Sequence, residues 1–180
     1  MIDAINSYTG VFLEDGSDKD VANIYAIVLR NTASTCAEYI EITITREDGK
    51  LLSFVASAID ANSTVVVMEA SATVYEEMEY DSCMASVAPL EKMEMSEDRI
   101  KIEEDATGSL NVTNISDSSI ASVRIFYKFY MEDVNVFVGG ITYTAKITNL
   151  AAGESKVVIP SHYAQNNSKI VMVKVYETEN

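Results

Sequence analysis

The chain carries one sequence pattern twice, and this repeat constrains the fold more than any other feature. Residues 27–45 and 110–128 align without a gap: an apolar segment, an Asn with a polar turn, then a segment of alternating apolar residues. Residues 59–68 and 150–159 align in the same way. A duplication this extended predicts two tandem domains of one architecture.

The repeat continues into the last part of each half. Tyr75 and Met84 are nine residues apart, and so are Tyr163 and Met172. Because two copies of one small domain divide the chain between them, the duplication argues against a single large catalytic cleft.

Short strands separated by turns account for both copies. Residues 39–45 alternate apolar and polar side chains, as in a strand with one buried face. Asp48-Gly49 then predicts a tight hairpin turn, since Gly accepts the positive φ that such a turn needs. Residues 51–59 and 64–68 continue as strands, and Gly139-Gly140 is typical of a bulge or a tight turn between strands.

Strands spaced by about 8 to 12 residues are typical of immunoglobulin-like sandwiches. We therefore predict an all-β protein of two tandem antiparallel immunoglobulin-like β-sandwich domains. The first covers residues 1–90, of which 1–20 are a lead-in, and the second covers residues 100–180. Residues 91–99 form a short acidic linker between them.

The composition excludes some partners. A formal net charge of −15 argues against nucleic acid and against an anionic membrane surface, because both need a basic patch. No run of about 18 apolar residues is present, so we expect no membrane span. Residues 1–4 lack the features of a signal peptide. We expect the native gene to encode a signal or anchor ahead of Met1.

Three stretches carry a family resemblance: residues 62–69, residues 139–147 and residues 150–155. They resemble uncharacterised bacterial proteins with tandem immunoglobulin-like or FxLYD-like domains, usually tethered to the envelope of Gram-positive bacteria. The similarity covers most of residues 20–177, although an intact Phe-x-Leu-Tyr-Asp motif is not present. It implies an extracellular or envelope-associated protein and transfers no catalytic residues.

The residues that catalysis would need are sparse. The one histidine, His162, is predicted to lie in a turn on the surface. Cys36 and Cys83 both lie in the first half, where a disulfide is possible but two reduced thiols are the favoured interpretation. A nucleophile needs a base within hydrogen-bond reach, so we predict a protein that is not an enzyme.

Calcium is the one cofactor that the sequence suggests. Acidic side chains crowd the junction between the halves, and hard cations favour carboxylate oxygens. The candidate ligands are Glu94, Glu97, Asp98, Glu103, Glu104 and Asp105. Their spacing does not match a strong calcium loop, so solvated side chains are the competing interpretation.

A strand rich in aromatic residues, 126–130, is the candidate binding surface. Phe126 and Tyr130 are expected on one face of it, where they either bind a glycan or protein or pack against other strands. We predict a non-enzymatic cell-surface module with a structural or adhesion role. The alternative is an accessory module that binds carbohydrate or protein through this strand or through the acidic interdomain region.

Overall fold

The computed structural model describes residues 1–77 and 79–178, and within these ranges the fold is all-β. The strands are β1 Ile2–Val11, β2 Asp20–Arg30, β3 Cys36–Arg46, β4 Leu51–Ile59, β5 Thr64–Met68, β6 Tyr80–Leu90, β7 Ile100–Glu104, β8 Leu110–Asn114, β9 Ile120–Met131, β10 Val136–Leu150, β11 Ser155–Val158 and β12 Ser168–Tyr176. One 3-10 turn, Glu132–Val134, separates β9 from β10. No helix in the described ranges has the length and apolar character to cross a membrane.

The chain divides into two compact units. The first comprises Met1–Lys92 and Asp133–Ile141, and the second comprises Met93–Glu132 and Thr142–Asn180. Residues 133–141, which the sequence pattern placed in the second half, therefore belong to the first unit. Strand β10 supplies its first residues to one unit and the rest to the other.

The first unit has two layers of strands around an apolar core. One layer has the order β1-β2-β5-β10 and the other the order β4-β3-β6. Strands β1, β2 and β5 are antiparallel neighbours, whereas β10 joins β5 in parallel at Phe137 and Val138. Strand β4 alternates buried and less buried residues, β2 is buried on both sides from Ile24 to Ile27, and Tyr25, Ile27 and Phe54 are almost completely buried.

Gly140 is a point of close approach between β10 and β4. A Cβ at this position would lie 1.8 Å from the carbonyl oxygen of Val55, so no side chain fits. Its neighbour Gly139 has a φ of +85°, which a residue with a side chain rarely adopts. The pair therefore forms an irregularity within one continuous strand, not a turn between two strands.

The second unit repeats the two-layer arrangement. One layer has the order β11-β8-β7, and the other contains β10, β9 and β12 side by side. The core residues come from both layers and include Leu110, Val112, Ile125, Tyr127 and Leu150. All five are completely inaccessible to solvent, so this small unit has a closed apolar centre.

One buried asparagine ties two turns of the second unit together. The Nδ2 group of Asn114 donates to the carbonyl oxygens of Ser118 and Ala151, at 2.8 and 3.1 Å. Its Oδ1 accepts from the Ser116 amide, and its backbone amide donates to Glu154. The side chain thus joins the turn after β8 to the turn after β10.

Asn31 makes the matching set of bonds in the first unit. Its Nδ2 group donates to Thr35 and Asp60, its Oδ1 accepts from Ala33, and its backbone amide donates to Ser63. The two asparagines thus hold equivalent pairs of turns. Asn31 differs in being partly exposed, whereas Asn114 is fully buried.

Replacing Asn114 with Ala is expected to lower the free energy of unfolding by about 2–3 kcal/mol, because the buried Leu150 carbonyl and the part-buried carbonyls of Ser118 and Ala151 lose their donor. Asn31→Ala should cost less, since water reaches that site. Denaturant unfolding measures both effects. Asn6→Ala, on the exposed side of β1, is the control and should change stability by less than about 0.5 kcal/mol. Equal effects for Asn114 and Asn6 would contradict the role assigned to the buried amide.

Candidate functional site

Strand β9 separates two kinds of side chain. Val123, Ile125 and Tyr127 point into the core of the second unit and are completely buried. Arg124 and Phe126 lie between them in sequence and therefore point to the opposite, outer side of the sheet. Both are partly exposed, so the outer side of β9 offers charge and aromatic surface together.

Strand β12 adds lysines and a tyrosine to the same outer side. It pairs antiparallel with β9, and the register places Lys174 opposite Arg124. The Lys174 ammonium lies 6.0 Å from the centroid of the Phe126 ring, and the Arg124 guanidinium lies 5.4 Å from that of Tyr176. Such cation–aromatic distances are attractive because the ring face is electron-rich.

A third pair extends this surface toward the end of β9. The Lys169 ammonium lies 4.9 Å from the centroid of the Tyr130 ring. We name the resulting surface the basic aromatic face, and it consists of Arg124, Phe126, Tyr130, Lys169, Lys174 and Tyr176. Phe126 and Tyr130, the two residues predicted for a binding surface, both lie on it and are both partly exposed.

Strand β10 borders the face on the other side of β9. Within it Ala145 and Ile147 are buried in the core, whereas Thr144, Lys146 and Thr148 alternate with them and are exposed. Hydroxyl groups and one further ammonium group thus extend the polar outer surface of the second unit.

Lys128 is the one fully buried cation of this region, with 1 % of its surface exposed. Its Nζ atom lies 3.5 Å from the hydroxyl of Thr142 on β10. By the alternation along β9, Lys128 lies on the same side of the sheet as Phe126 and Tyr130, but it is buried there and therefore adds no exposed charge to the basic aromatic face.

The core side of β9 carries an aromatic cluster that includes the only histidine. The His162 ring stacks on Tyr143 with 4.7 Å between centroids, and Tyr127 contacts both Tyr143 and Tyr163. Tyr127 also donates a hydrogen bond to the backbone of Ser161, and burial raises its pKa. His162 is half-buried, so its predicted surface position holds only in part.

Four of the six acids predicted to bind calcium use their oxygens in separate local contacts. Glu94 accepts a hydrogen bond from the Ser96 hydroxyl, and Glu103 forms a 2.7 Å ion pair with Lys101. Glu104 accepts a 3.0 Å hydrogen bond from Tyr163. Burial, and then this carboxylate, raise the pKa of Tyr163.

Asp105 completes the set with a loop of its own. Its Oδ1 accepts from the amide and hydroxyl of Thr107, at 2.7 and 2.6 Å, and from the amide of Ser109. Glu97 and Asp98 are exposed. Within residues 1–77 and 79–178, no three His, Cys, Asp or Glu side chains converge to hold a metal ion. The structure therefore does not gather the predicted calcium ligands into one site.

The two cysteines of the first unit are thiols and are not bonded to each other, as favoured from the sequence. Cys36 is buried, with its Sγ atom 3.2 Å from a carboxylate oxygen of Asp60, and Cys83 is exposed on β6. Both line an apolar groove of about 540 Å³ beside β6. The lining of this groove is mostly aliphatic.

Comparison of the chain with protein-family models, with curated proteins and with solved structures gives no match.

Removing the Thr107 hydroxyl is expected to raise the pKa of Asp105, since the hydrogen bond from that hydroxyl is the main cause of its lowered value. The lowered pKa stabilises the fold above the unfolded value of about 3.9, and this contribution is lost as the pH falls through the folded pKa. An NMR titration of the Asp105 carboxyl carbon in Thr107→Val measures the change. Thr148→Val is the control, and an unchanged Asp105 pKa in Thr107→Val would contradict the assignment.

Proposed function

We propose that the chain is a non-enzymatic extracytoplasmic module with an adhesion role, built from two tandem immunoglobulin-like β-sandwiches, and that it binds its partner through the basic aromatic face. The observation that carries this proposal is the gathering of three cations and three aromatic rings on one outer sheet surface. Exposed aromatic residues bordered by polar groups are typical of interaction surfaces.

Strand order supports the duplication within this proposal. The layer β1-β2-β5 of the first unit has the same order as β7-β8-β11 of the second, and β4-β3-β6 the same as β10-β9-β12. In both units the first, second and fifth strands form one layer, and the third, fourth and sixth form the other. This division of strands is compatible with an immunoglobulin-like sandwich.

Strand register supports it further. Glu41 and Ser86 are paired between β3 and β6. Adding 83 to the first residue number and 88 to the second gives Arg124 and Lys174, which are paired between β9 and β12. The same steps turn Thr43–Met84 into Phe126–Met172. A pairing that coincides residue by residue, together with the matched asparagine bonds, is what descent from one ancestral domain would leave.

The non-enzymatic part of the proposal rests on how the reactive side chains are used. His162 contributes its ring to an aromatic stack, and the Cys36 thiol contacts a carboxylate inside the first unit. These contacts serve packing. The extracytoplasmic part rests on the sandwich architecture and on the resemblance to envelope proteins described above.

Fractionation of the source cells tests this function. We expect antibody against the chain to detect it in the envelope fraction or in the medium, and protease added to intact cells to remove the envelope signal. A cytosolic marker protein that survives the protease is the control. Recovery in the cytosol, protected from the protease, would contradict the proposal.

A further inference from the structure

The charges of this chain are distributed very unevenly. Residues 118–176 contain six of the 13 basic residues and three of the 28 acidic ones, which gives them a net charge of +3. The rest of the chain has seven basic and 25 acidic residues, a net charge of −18. The three acids within 118–176 are Glu132, Asp133 and Glu154, which lie between strands. Strands β9, β10 and β12 therefore carry no acidic residue.

The basic aromatic face is thus an unusually positive surface on an acidic protein. A positive patch of this kind attracts anions locally even when the net charge is negative, since charges beyond about 8–10 Å are screened at physiological salt. Lys169 is exposed, and Arg124 and Lys174 are partly exposed. Charge complementarity therefore requires an anionic ligand.

The equivalent surface of the first unit lacks these properties. By the register described above, Glu41 and Thr43 take the places of Arg124 and Phe126 on the third strand of the unit. Ser86 and Ala88 take the places of Lys174 and Tyr176 on the sixth. The inward positions stay apolar in both units. Since the fold forms without them, the cations and rings of the second unit are not demanded by the framework.

The shape of the face limits what the anion can be. Strand β9 is paired with β10 on one edge and β12 on the other, so a peptide cannot add to β9 as a strand. Strand β12 ends the sheet order and keeps an open edge, so an acidic peptide is an outcome that the titration must separate. Recognition depends on side chains along the seven residues from Arg124 to Tyr130, whose ends lie about 20 Å apart at 3.3 Å per residue, with the buried Lys128 between Phe126 and Tyr130. A linear ligand lying along the strands meets cations and rings in succession.

We propose that the basic aromatic face binds a linear anionic polysaccharide of the polyuronate class. Carboxylates of the sugar chain pair with Arg124, Lys169 and Lys174, and the apolar faces of the sugar rings contact Phe126 and Tyr130. The threonine hydroxyls of β10 border the path and hydrogen-bond sugar hydroxyls. Nucleic acid is a poorer match, because three cations spread over about 20 Å fit widely spaced carboxylates better than a duplex with one charge per about 1.7 Å.

This inference rests on the proposed function, since it names the ligand of the same surface. The purified full chain is titrated with an oligomer of polygalacturonate, with its methyl ester, with polyglutamate and with oligothymidylate. We expect binding to the polygalacturonate only, weakening at least fivefold between 50 and 200 mM NaCl. Equal or tighter binding of polyglutamate, which has the charge without the rings, would overturn the proposal in favour of an acidic peptide. Tighter oligothymidylate binding, or undiminished binding of the ester, would also overturn it.

Charge-neutralising variants locate the site. The triple variant Arg124→Gln, Lys169→Gln, Lys174→Gln is expected to bind polygalacturonate at least thirtyfold more weakly. The control triple variant Lys19→Gln, Lys50→Gln, Lys92→Gln also removes three positive charges, but from the first unit. It should change the affinity less than twofold. Equal losses in the two triple variants would overturn the proposed location.

The aromatic contribution has its own test. Phe126→Leu and Tyr130→Leu keep apolar bulk on the strand and are each expected to weaken binding about fivefold, with thermal unfolding used to verify that they fold. Unchanged affinity in both folded variants would overturn the contact with sugar rings. A chain found at the cell surface that binds none of the four probes would overturn this inference and leave the surface location intact, so the two failures are distinguishable.

Discussion

The asparagine that joins two turns is the interaction on which each unit depends. In the second unit Asn114 connects the turn after β8 to the turn after β10, and in the first unit Asn31 makes the equivalent connection. Each of these turns leads from one layer of the unit to the other. Holding the two crossings side by side fixes how the layers face each other, and the apolar side chains then fill the space between them. The Asn114 side chain bonds four backbone groups, those of Ser116, Ser118, Leu150 and Ala151, and the Leu150 carbonyl is buried away from water.

A framework held in this way leaves the outer sheet surfaces open to change. Inward positions need apolar groups of suitable size, and the asparagine needs its bonds. Partly exposed outward positions such as Arg124 and Phe126 are under neither constraint, although Lys128 and Met172 on the same side are buried. The first unit carries Glu41 and Thr43 where the second carries Arg124 and Phe126. The two units share strand order and pairing register, and the positive and aromatic residues are concentrated on the second unit. Fold and proposed function occupy different sides of the same strands.

Much of the fold followed from local patterns in the sequence. Strands β4 and β5 have the bounds that were predicted, because alternating residues end at turns with recognisable chemistry such as Asp48-Gly49. The Gly139-Gly140 pair was harder to interpret. Its cause is the approach of the Val55 carbonyl, a contact between residues more than 80 positions apart that no local pattern reveals.

The candidate site likewise combines residues that the sequence identifies with residues that only the folded structure brings together. Phe126 and Tyr130 were identifiable because they stand close together on one strand. Their partners Lys169 and Lys174 were not, since only the register between β9 and β12 brings them to the rings. The absence of acids from three strands was a signal in the sequence that could have pointed to this face. The acidic junction suggested a calcium site because its carboxylates are close in sequence. In the structure, neighbours such as Glu104 and Asp105 use their oxygens in different contacts.

The central claim is that the second copy of a repeated scaffold carries the ligand surface. NMR spectra of the labelled full chain, recorded while a polygalacturonate oligomer is added, test it most directly. The account predicts that shifting signals come from Arg124, Phe126, Lys174 and their neighbours on β9, β10 and β12, while Glu41, Thr43 and Ser86 remain unchanged. Shifts concentrated on β3, β4 and β6, or spread evenly over both units, would contradict it.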